Sequence, residues 1–149
     1  MPRSYEHTQT AYPITISLII GIILVTFLMV LYGPNGIVFL VLLILLICLW
    51  SFSSLTVTID ERALKIQFGK GPIQKTFHLQ EISSCQIVRN PWYYGWGIHW
   101  TPHGWLFNVS GHSAVEIRMK NRRSYRIGTD MPDELERAIQ RALHRLEGK

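Results

Sequence analysis

Two long apolar runs near the start of the chain constrain the fold more than any other feature. The first covers residues 14–31 and contains no charged side chain, and the second covers residues 37–50 and is almost entirely Val, Leu, Ile and Phe. A short break at residues 32–36, with Gly and Pro, separates them. A helix of about 20 residues crosses the ~30 Å hydrocarbon core of a bilayer. The pattern therefore predicts an integral helical hairpin over residues 14–53 that crosses the membrane twice.

The charges that flank these runs predict an orientation. Arg3 precedes the first run, and Arg62, Lys65 and Lys70 follow the second, whereas the break between the runs has no Lys or Arg. Positive side chains are concentrated in the cytoplasmic flanks of membrane helices. We therefore predict a multi-pass protein of the cell (inner or plasma) membrane with both termini in the cytoplasm.

The rest of the chain divides into a polar, frayed tail at residues 1–13 and a separate cytoplasmic domain at residues 54–149. The domain carries every charged side chain except Arg3 and Glu6, and the chain has a net charge of +5. Such an excess is compatible with anionic lipid headgroups nearby and equally with an ordinary soluble surface. The chain has only 2 cysteines, which excludes a disulfide framework and fits a reducing compartment.

Alternation of apolar and polar residues predicts about seven short antiparallel strands in this domain. They are residues 55–59, 64–68, 73–79, 85–89, 105–109, 114–119 and 124–127. An amphipathic helix follows, with Asp130 as the predicted N-cap and Pro132 in the first turn. A bent sheet has open ends that such a helix can cover. We therefore predict an α+β, pleckstrin-homology-like (PH-like) domain, a bent sheet or barrel capped by one C-terminal helix, behind a membrane α-helical hairpin.

Four segments of this domain resemble a known family, the bacterial PH-like domains of small two-helix membrane proteins. They are NPWYYGWGI (90–98), GWLFNVSG (104–111), AVEIRMKNRRSYRIGTD (114–130) and PDEL (132–135). The resemblance implies a PH-like fold over about residues 55–146 behind a two-helix anchor, and it brings no established activity or ligand. Better-known PH domains bind phosphoinositides through a basic loop between their first two strands. Here that loop, residues 60–62, is short and net acidic, which argues against an inositol-phosphate site.

An aromatic block at residues 90–111 holds four of the 5 tryptophans. Trp105 and Phe107 alternate in a predicted strand and are expected to face the core. The other rings lie on a loop rich in Gly and Pro, where they could pack in the core, enter the membrane interface or bind a protein partner. The candidate contact residues of this loop are Trp92, Tyr93, Tyr94, Trp96 and Trp100.

A basic hairpin is the second candidate surface. Arg118, Lys120 and Arg126 are expected to share an outward face, with Arg122 and Arg123 on the turn between the strands. Such a group can bind anionic lipid headgroups, or an acidic or phosphorylated partner. A solvated face that Glu116 partly compensates is the alternative.

No pattern for catalysis emerges from the sequence. His99 and His103 are four residues apart, but Pro102 lies between them and no Glu follows as in a metal-binding HExxH helix. No nucleic-acid-binding motif accompanies the basic hairpin. The sequence therefore predicts a non-catalytic, membrane-anchored binding or scaffold module without metal, cofactor or nucleic acid. Its partner is predicted to be another protein or a second copy, and a sensor of anionic lipid headgroups is the alternative.

Overall fold

The computed structural model describes residues 4–148, so Arg3, on which the predicted orientation partly depends, lies outside the described residues, as does Lys149. The elements are β1 (Tyr5–Thr10), α1 (Tyr12–Tyr32), α2 (Gly36–Phe52), β2 (Ser54–Ile59), β3 (Ala63–Phe68), β4 (Gln74–His78), β5 (Ile82–Arg89), β6 (Gly97–Thr101), β7 (Gly104–Asn108), β8 (Ser113–Met119), β9 (Ser124–Gly128) and α3 (Pro132–Glu147). Two 3-10 turns, Leu79–Glu81 and Trp92–Tyr94, complete the described structure.

The two apolar runs form a pair of packed helices. Helix α1 has 21 residues and is long and apolar enough to cross a membrane, judged by length and composition alone. Helix α2 is also apolar but has 17 residues. It begins after Asn35, whose side-chain oxygen accepts a hydrogen bond from the Val38 N–H at 3.0 Å and so caps the helix. Among the described residues, one helix therefore meets the length and composition expected of a membrane span.

Residues 5–10 form a strand, which corrects the prediction of a frayed tail at residues 1–13 for this part of the chain. Strand β1 pairs antiparallel with β2, in a register that runs from Tyr5 opposite Ile59 to Thr10 opposite Ser54. The pairing continues for one more hydrogen bond, from the Ala11 N–H to the Ser53 carbonyl oxygen at 2.9 Å. The helix pair is thus inserted between two paired strands, and both of its ends leave the same end of the sheet.

The described strands form two sheets and no closed barrel, so the prediction of one bent sheet or barrel of about seven antiparallel strands is correct only in its coarse features. One sheet has the order β1-β2-β3-β4, and the other has the order β5-β8-β9-β7-β6. Strands β1 and β6 are additional to the predicted seven. Strands β7 and β9 pair in parallel, which also departs from the prediction.

An aromatic cluster fills the space between the two sheets. Phe68 packs against Phe52 at 5.6 Å and against Phe107 at 6.4 Å, and Phe77 packs against Tyr125 at 4.8 Å, all measured between ring centroids. Phe107 is buried, as predicted. The cluster joins the end of α2 to the centre of the domain.

Helix α3 covers β5 and β8 and also contacts β2. It presents the predicted apolar stripe, of which the buried members are Leu135, Ala138, Ile139 and Ala142. The predicted N-cap is wrong, because Met131 occupies that position. The Asp130 carboxylate instead lies 2.6 Å from the His7 ring nitrogen on β1.

The five-stranded sheet has one edge near the helix pair and one edge far from it. The ring contacts Phe52–Phe68 and Phe68–Phe107 connect the end of α2 to β7, and β6 lies beyond β7 at the sheet edge. At the opposite edge, α3 covers β5. Helix α3 also lines a recess with Asp60 and Glu61, which follow the end of β2 farthest from α2. Strand β5 therefore lies on the side of the domain away from the helix pair. The strand order therefore runs from β6, near the helices, to β5, far from them.

Candidate functional site

The segment that links β5 to β6 crosses the outer face of the five-stranded sheet. These two strands lie at opposite edges of that sheet, so residues 90–96 must pass over β8, β9 and β7. Asn90, at the start of this crossover, accepts a hydrogen bond from Arg126 on β9 at 3.0 Å. Near its end, the Gly95 carbonyl oxygen lies 3.5 Å from the side-chain nitrogen of Asn108 on β7. The crossover is thus attached to the sheet face at both ends.

Arg126 is part of this attachment and not of an exposed basic face, which corrects the prediction that it faces outward with Arg118 and Lys120. Its side chain is only 7% exposed. Its Nε donates to the Glu116 carboxylate at 2.9 Å, and its Nη1 donates to the Asn90 side-chain oxygen. Glu116 is buried as well, and also accepts from Gln86 at 3.2 Å. Because this guanidinium is already paired and desolvated, it is not available to a ligand.

Most of the predicted aromatic contact residues are exposed. Trp92 is 80% exposed and Tyr93 is also exposed, whereas Tyr94 is half-buried. These three rings contact one another edge to face along the crossover. Trp96 lies just before β6 and is exposed, and Trp100, on β6, is 71% exposed. The aromatic block is therefore mostly surface, and of its rings Phe107 belongs to the buried core.

The exposed parts of the two candidate surfaces meet in one cleft of about 670 Å³. One wall is an indole pair, Trp100 and Trp105, whose rings pack edge to face at 5.5 Å. Arg118, Arg122 and Arg123 also line the cleft and form its basic wall. The prediction that Trp105 faces the core is wrong, because this residue is 41% exposed. It lies at the start of β7, beyond the cover of the other sheet, and packs on its cross-strand neighbour instead.

The turn that carries the basic wall has a fixed backbone. The Met119 N–H donates to the Arg123 carbonyl oxygen at 2.8 Å, and the Asn121 side-chain oxygen accepts from the Arg123 N–H at 3.0 Å. Arg122 has a φ of 67°, which an L residue adopts at a cost of about 1 kcal/mol or more. A left-handed residue is usual in a tight hairpin turn, so this φ reflects the turn geometry. Lys120 is exposed beside it but lines a shallower depression.

Among the described residues, the side chains that could bind a metal ion form no metal site, and Cys85 is not an activated thiol. Residues 4–148 contain no group of three or more His, Cys, Asp or Glu side chains that could hold a metal ion. Both cysteines are free. Burial, with a smaller contribution from Glu136, raises the pKa of the Cys85 thiol to about 11, so little of the nucleophilic thiolate exists at neutral pH.

Besides Arg126, Glu116 and Trp105 are residues of the site whose roles the sequence did not predict. The signal for Glu116 was present, because a hairpin that turns at residues 120–123 places Glu116 opposite Arg126. Opposite charges on directly paired strand positions attract one another. Trp105 had no comparable signal, because its exposure depends on where the other sheet ends.

Comparison with models of protein families, with curated proteins and with solved structures finds no match for this chain. A functional assignment therefore depends on the geometry of the cleft and on the apolar helix pair that the chain carries.

Proposed function

We propose that this protein is a membrane-anchored, non-catalytic binding module whose cleft takes an acidic segment of a protein partner at the cytoplasmic face of the cell membrane. The observation that carries the proposal is the cleft itself, which is lined both by the Trp100–Trp105 pair and by Arg118, Arg122 and Arg123. Trp and Arg are the side chains most often found at the energetic centre of protein interfaces. Three arginines against one buried, already paired carboxylate give the cleft a positive field that favours an acidic ligand.

The anchor in this proposal crosses the membrane twice. Helix α1 is long enough for one crossing, and the hydrogen bond from Ala11 to Ser53 holds the start of α1 beside the end of α2. If α1 crosses, α2 must return to the same side. Its 17 residues span about 25 Å at 1.5 Å per residue, a mismatch that local thinning of the bilayer accommodates. The basic residues Arg62, Lys65 and Lys70 support a cytoplasmic domain.

A PH-like origin for the domain is part of the proposal. Two packed sheets followed by a single C-terminal helix support it, together with the sequence resemblance. The strand β1 ahead of the helix pair and the parallel pairing of β7 with β9 depart from the predicted antiparallel arrangement. The function proposed here depends on the cleft and not on this origin.

The alternative, a sensor of anionic lipid headgroups, is less well supported by the position of the basic turn. Strand β8, which leads into that turn, is the fourth strand from the edge nearest the helices. With neighbouring strands about 4.8 Å apart, it lies roughly 14 Å farther from the helix pair than β6 does. Electrostatic attraction to a membrane surface falls off within a Debye length of about 8 Å. The basic wall is thus better placed for a partner in the cytoplasm.

The test measures binding of an acidic peptide containing one aromatic residue to the full chain in nanodiscs of neutral lipid. The triple variant Arg118→Gln/Arg122→Gln/Arg123→Gln should weaken binding about tenfold or more at low salt, since each charge-assisted contact contributes up to ~1 kcal/mol. The matched control Arg137→Gln/Arg141→Gln/Arg145→Gln removes the same charge from the exposed face of α3 and should bind as the wild type does.

Three outcomes separate the candidates. Equal losses of peptide affinity in the two triple variants would show that net charge alone explains the effect, and would overturn the cleft as the binding site. Competition by glycerophosphoserine, a soluble lipid headgroup, at concentrations where inorganic phosphate has no effect would favour the lipid sensor. A change of oligomeric state in detergent caused by the cleft variant alone would identify a second copy of this chain as the partner.

A further inference from the structure

Exposed aromatic side chains are concentrated on one part of the domain. Of the large apolar residues exposed outside α1 and α2, all but Ile87 and Met131 are aromatic residues at positions 92–105. The residues 90–101 contain no Lys, Arg, Asp or Glu. A long, uncharged and aromatic surface segment is unusual on a domain that otherwise carries nearly all the charge of the chain.

Strand β6 carries Trp100 and directly follows Trp96, and it lies at the edge of the sheet on the side of the helix pair. It is the edge strand of the five-stranded sheet nearest to α2, as the ring contacts from Phe52 through Phe68 to Phe107 establish. Trp96 and Trp100 flank Ile98, which packs against the core from β6. Because side chains alternate along a strand, Trp100 shares the side of Ile98 and extends the core-facing side of the edge strand beyond the core. Trp96 immediately precedes the strand and is exposed at its other end.

The helix pair connects to the domain through close backbone contacts, which hold the domain, including β6, in a defined position relative to α2. The β1–β2 ladder continues into the helix pair through the hydrogen bond between Ala11 and Ser53. Gly69, which follows β3, has a φ of 53° and lies so close to the carbonyl oxygens of Trp50 and Ser51 that a Cβ would collide with them. The domain is thus seated directly on the end of α2 without a flexible linker.

We infer that the β6 edge, through Trp96 and Trp100, lies in the interfacial layer of the bilayer and so docks the domain on the lipid surface. This inference rests on the membrane anchoring proposed above. Trp50 and Tyr12, which are exposed at the domain-proximal ends of α2 and α1, mark the same level, and amphipathic rings prefer that layer. Because the segment carries no charge, the contact does not require anionic lipid.

The contact also gives the cleft an orientation. Trp100 belongs to both surfaces, because it is exposed on the edge strand and also lines the cleft in contact with Trp105. The three arginines of the cleft then open to water. Trp92, on the crossover over the outer face of the sheet, remains in water as well.

The test uses the full chain, labelled with fluorotryptophan and reconstituted in nanodiscs of zwitterionic lipid. Single Trp→Phe substitutions, which keep the aromatic ring, assign the five fluorine signals. A nitroxide on the lipid headgroup should remove the signals of Trp50, Trp96 and Trp100 and leave that of Trp92. A water-soluble gadolinium chelate should remove the signal of Trp92 and spare the other three.

The fluorine signal of Trp50 distinguishes an error in this inference from an error in the proposed membrane anchor. If the lipid nitroxide removes the signal of Trp50 but leaves those of Trp96 and Trp100, the helices are inserted and the β6 edge does not contact lipid. If the aqueous chelate removes all of these signals, the anchor itself is wrong and the lipid contact fails with it. If Trp96 and Trp100 are protected from both agents, a second protein surface covers β6, which also overturns the inference.

Discussion

Replacing Glu116 with leucine tests whether the buried ion pair holds the aromatic crossover on the sheet. The substitution removes the carboxylate that accepts from Arg126 Nε at 2.9 Å and leaves the guanidinium with Asn90 as its remaining hydrogen-bond partner. Both side chains of the pair are more than nine-tenths buried. Removing one partner of a buried ion pair costs about 3–5 kcal/mol. In a domain of this size each kcal/mol lowers the melting temperature by about 4–8 °C, so we expect a fall of at least ~12 °C.

The assay follows the near-ultraviolet circular dichroism of the full chain in detergent during heating, because that signal reports aromatic packing. The control is Arg118→Leu, which removes the other arginine near the same carboxylate. Arg118 lies 3.8 Å from Glu116 with its side chain 60% exposed, and such a pair contributes at most ~1 kcal/mol. The double variant Glu116→Leu/Arg126→Met removes both charges and should recover most of the loss, since a well-packed apolar pair can replace a buried ion pair.

Two results would refute this reasoning. Equal melting temperatures for Glu116→Leu and Arg118→Leu would mean that burial of Arg126 does not matter for stability. A double variant less stable than Glu116→Leu alone would mean that Arg126 has other favourable contacts and that its unpaired charge is not the main cost.

Three further predictions follow from the backbone and from the buried thiol. Gly104→Ala should destabilise the domain by more than about 1 kcal/mol in thermal unfolding, because Gly104 has a φ of 105° and a Cβ there would collide with the Ser124 carbonyl oxygen. The control is Gly36→Ala, which should not destabilise the domain, because a Cβ at Gly36 meets nothing within 4 Å. Burial raises the pKa of the Cys85 thiol to about 11, so its alkylation at pH 8, measured by mass spectrometry, should be about 100-fold slower than that of an unperturbed cysteine. The alkylation rate should keep rising up to about pH 11, and a rate that levels off near pH 9 would contradict this prediction. Deleting residues 4–10 should lower the melting temperature and open β2 to hydrogen exchange, because β1 covers that strand; unchanged protection of β2 would show that β1 is dispensable.

The strands that the sequence predicted differ from the missed strand β1 in the type of residue on their buried face. The segments of β2 and β3 alternate between buried apolar and half-buried polar residues, which is the pattern that predicts a strand. Strand β1 also alternates, but its inward residues include Gln9, which is buried and donates to the Ser110 carbonyl oxygen at 3.3 Å. A hydrophobic pattern cannot detect a strand with a polar buried face. Its partner β2, moreover, lies beyond the whole helix pair.

The candidate site was predictable in its residue types but not in its geometry. Trp100 and the arginines of the turn were recognised as two separate alternatives, because nothing in the sequence placed the β6–β7 turn beside the β8–β9 turn. The parallel pairing of β7 with β9 brings them together, and parallel pairing between distant segments has no local sequence signal. The same pairing puts Gly104 against the Ser124 backbone, at the floor of the cleft.

Insertion of the helix pair between two paired strands links the membrane to the domain more directly than a terminal anchor would. A terminal anchor joins a domain through one chain segment, about which the domain can rotate. Here two neighbouring segments, β1 and β2, enter the helices together and remain hydrogen-bonded up to Ala11 and Ser53, so rotation would break the ladder. The orientation of the domain is then set by the sheet register, which keeps β6 beside the helices and the arginines of the cleft away from them. If the helices cross the membrane as proposed, a partner with an acidic segment meets the cleft from the cytoplasm and not from within the bilayer.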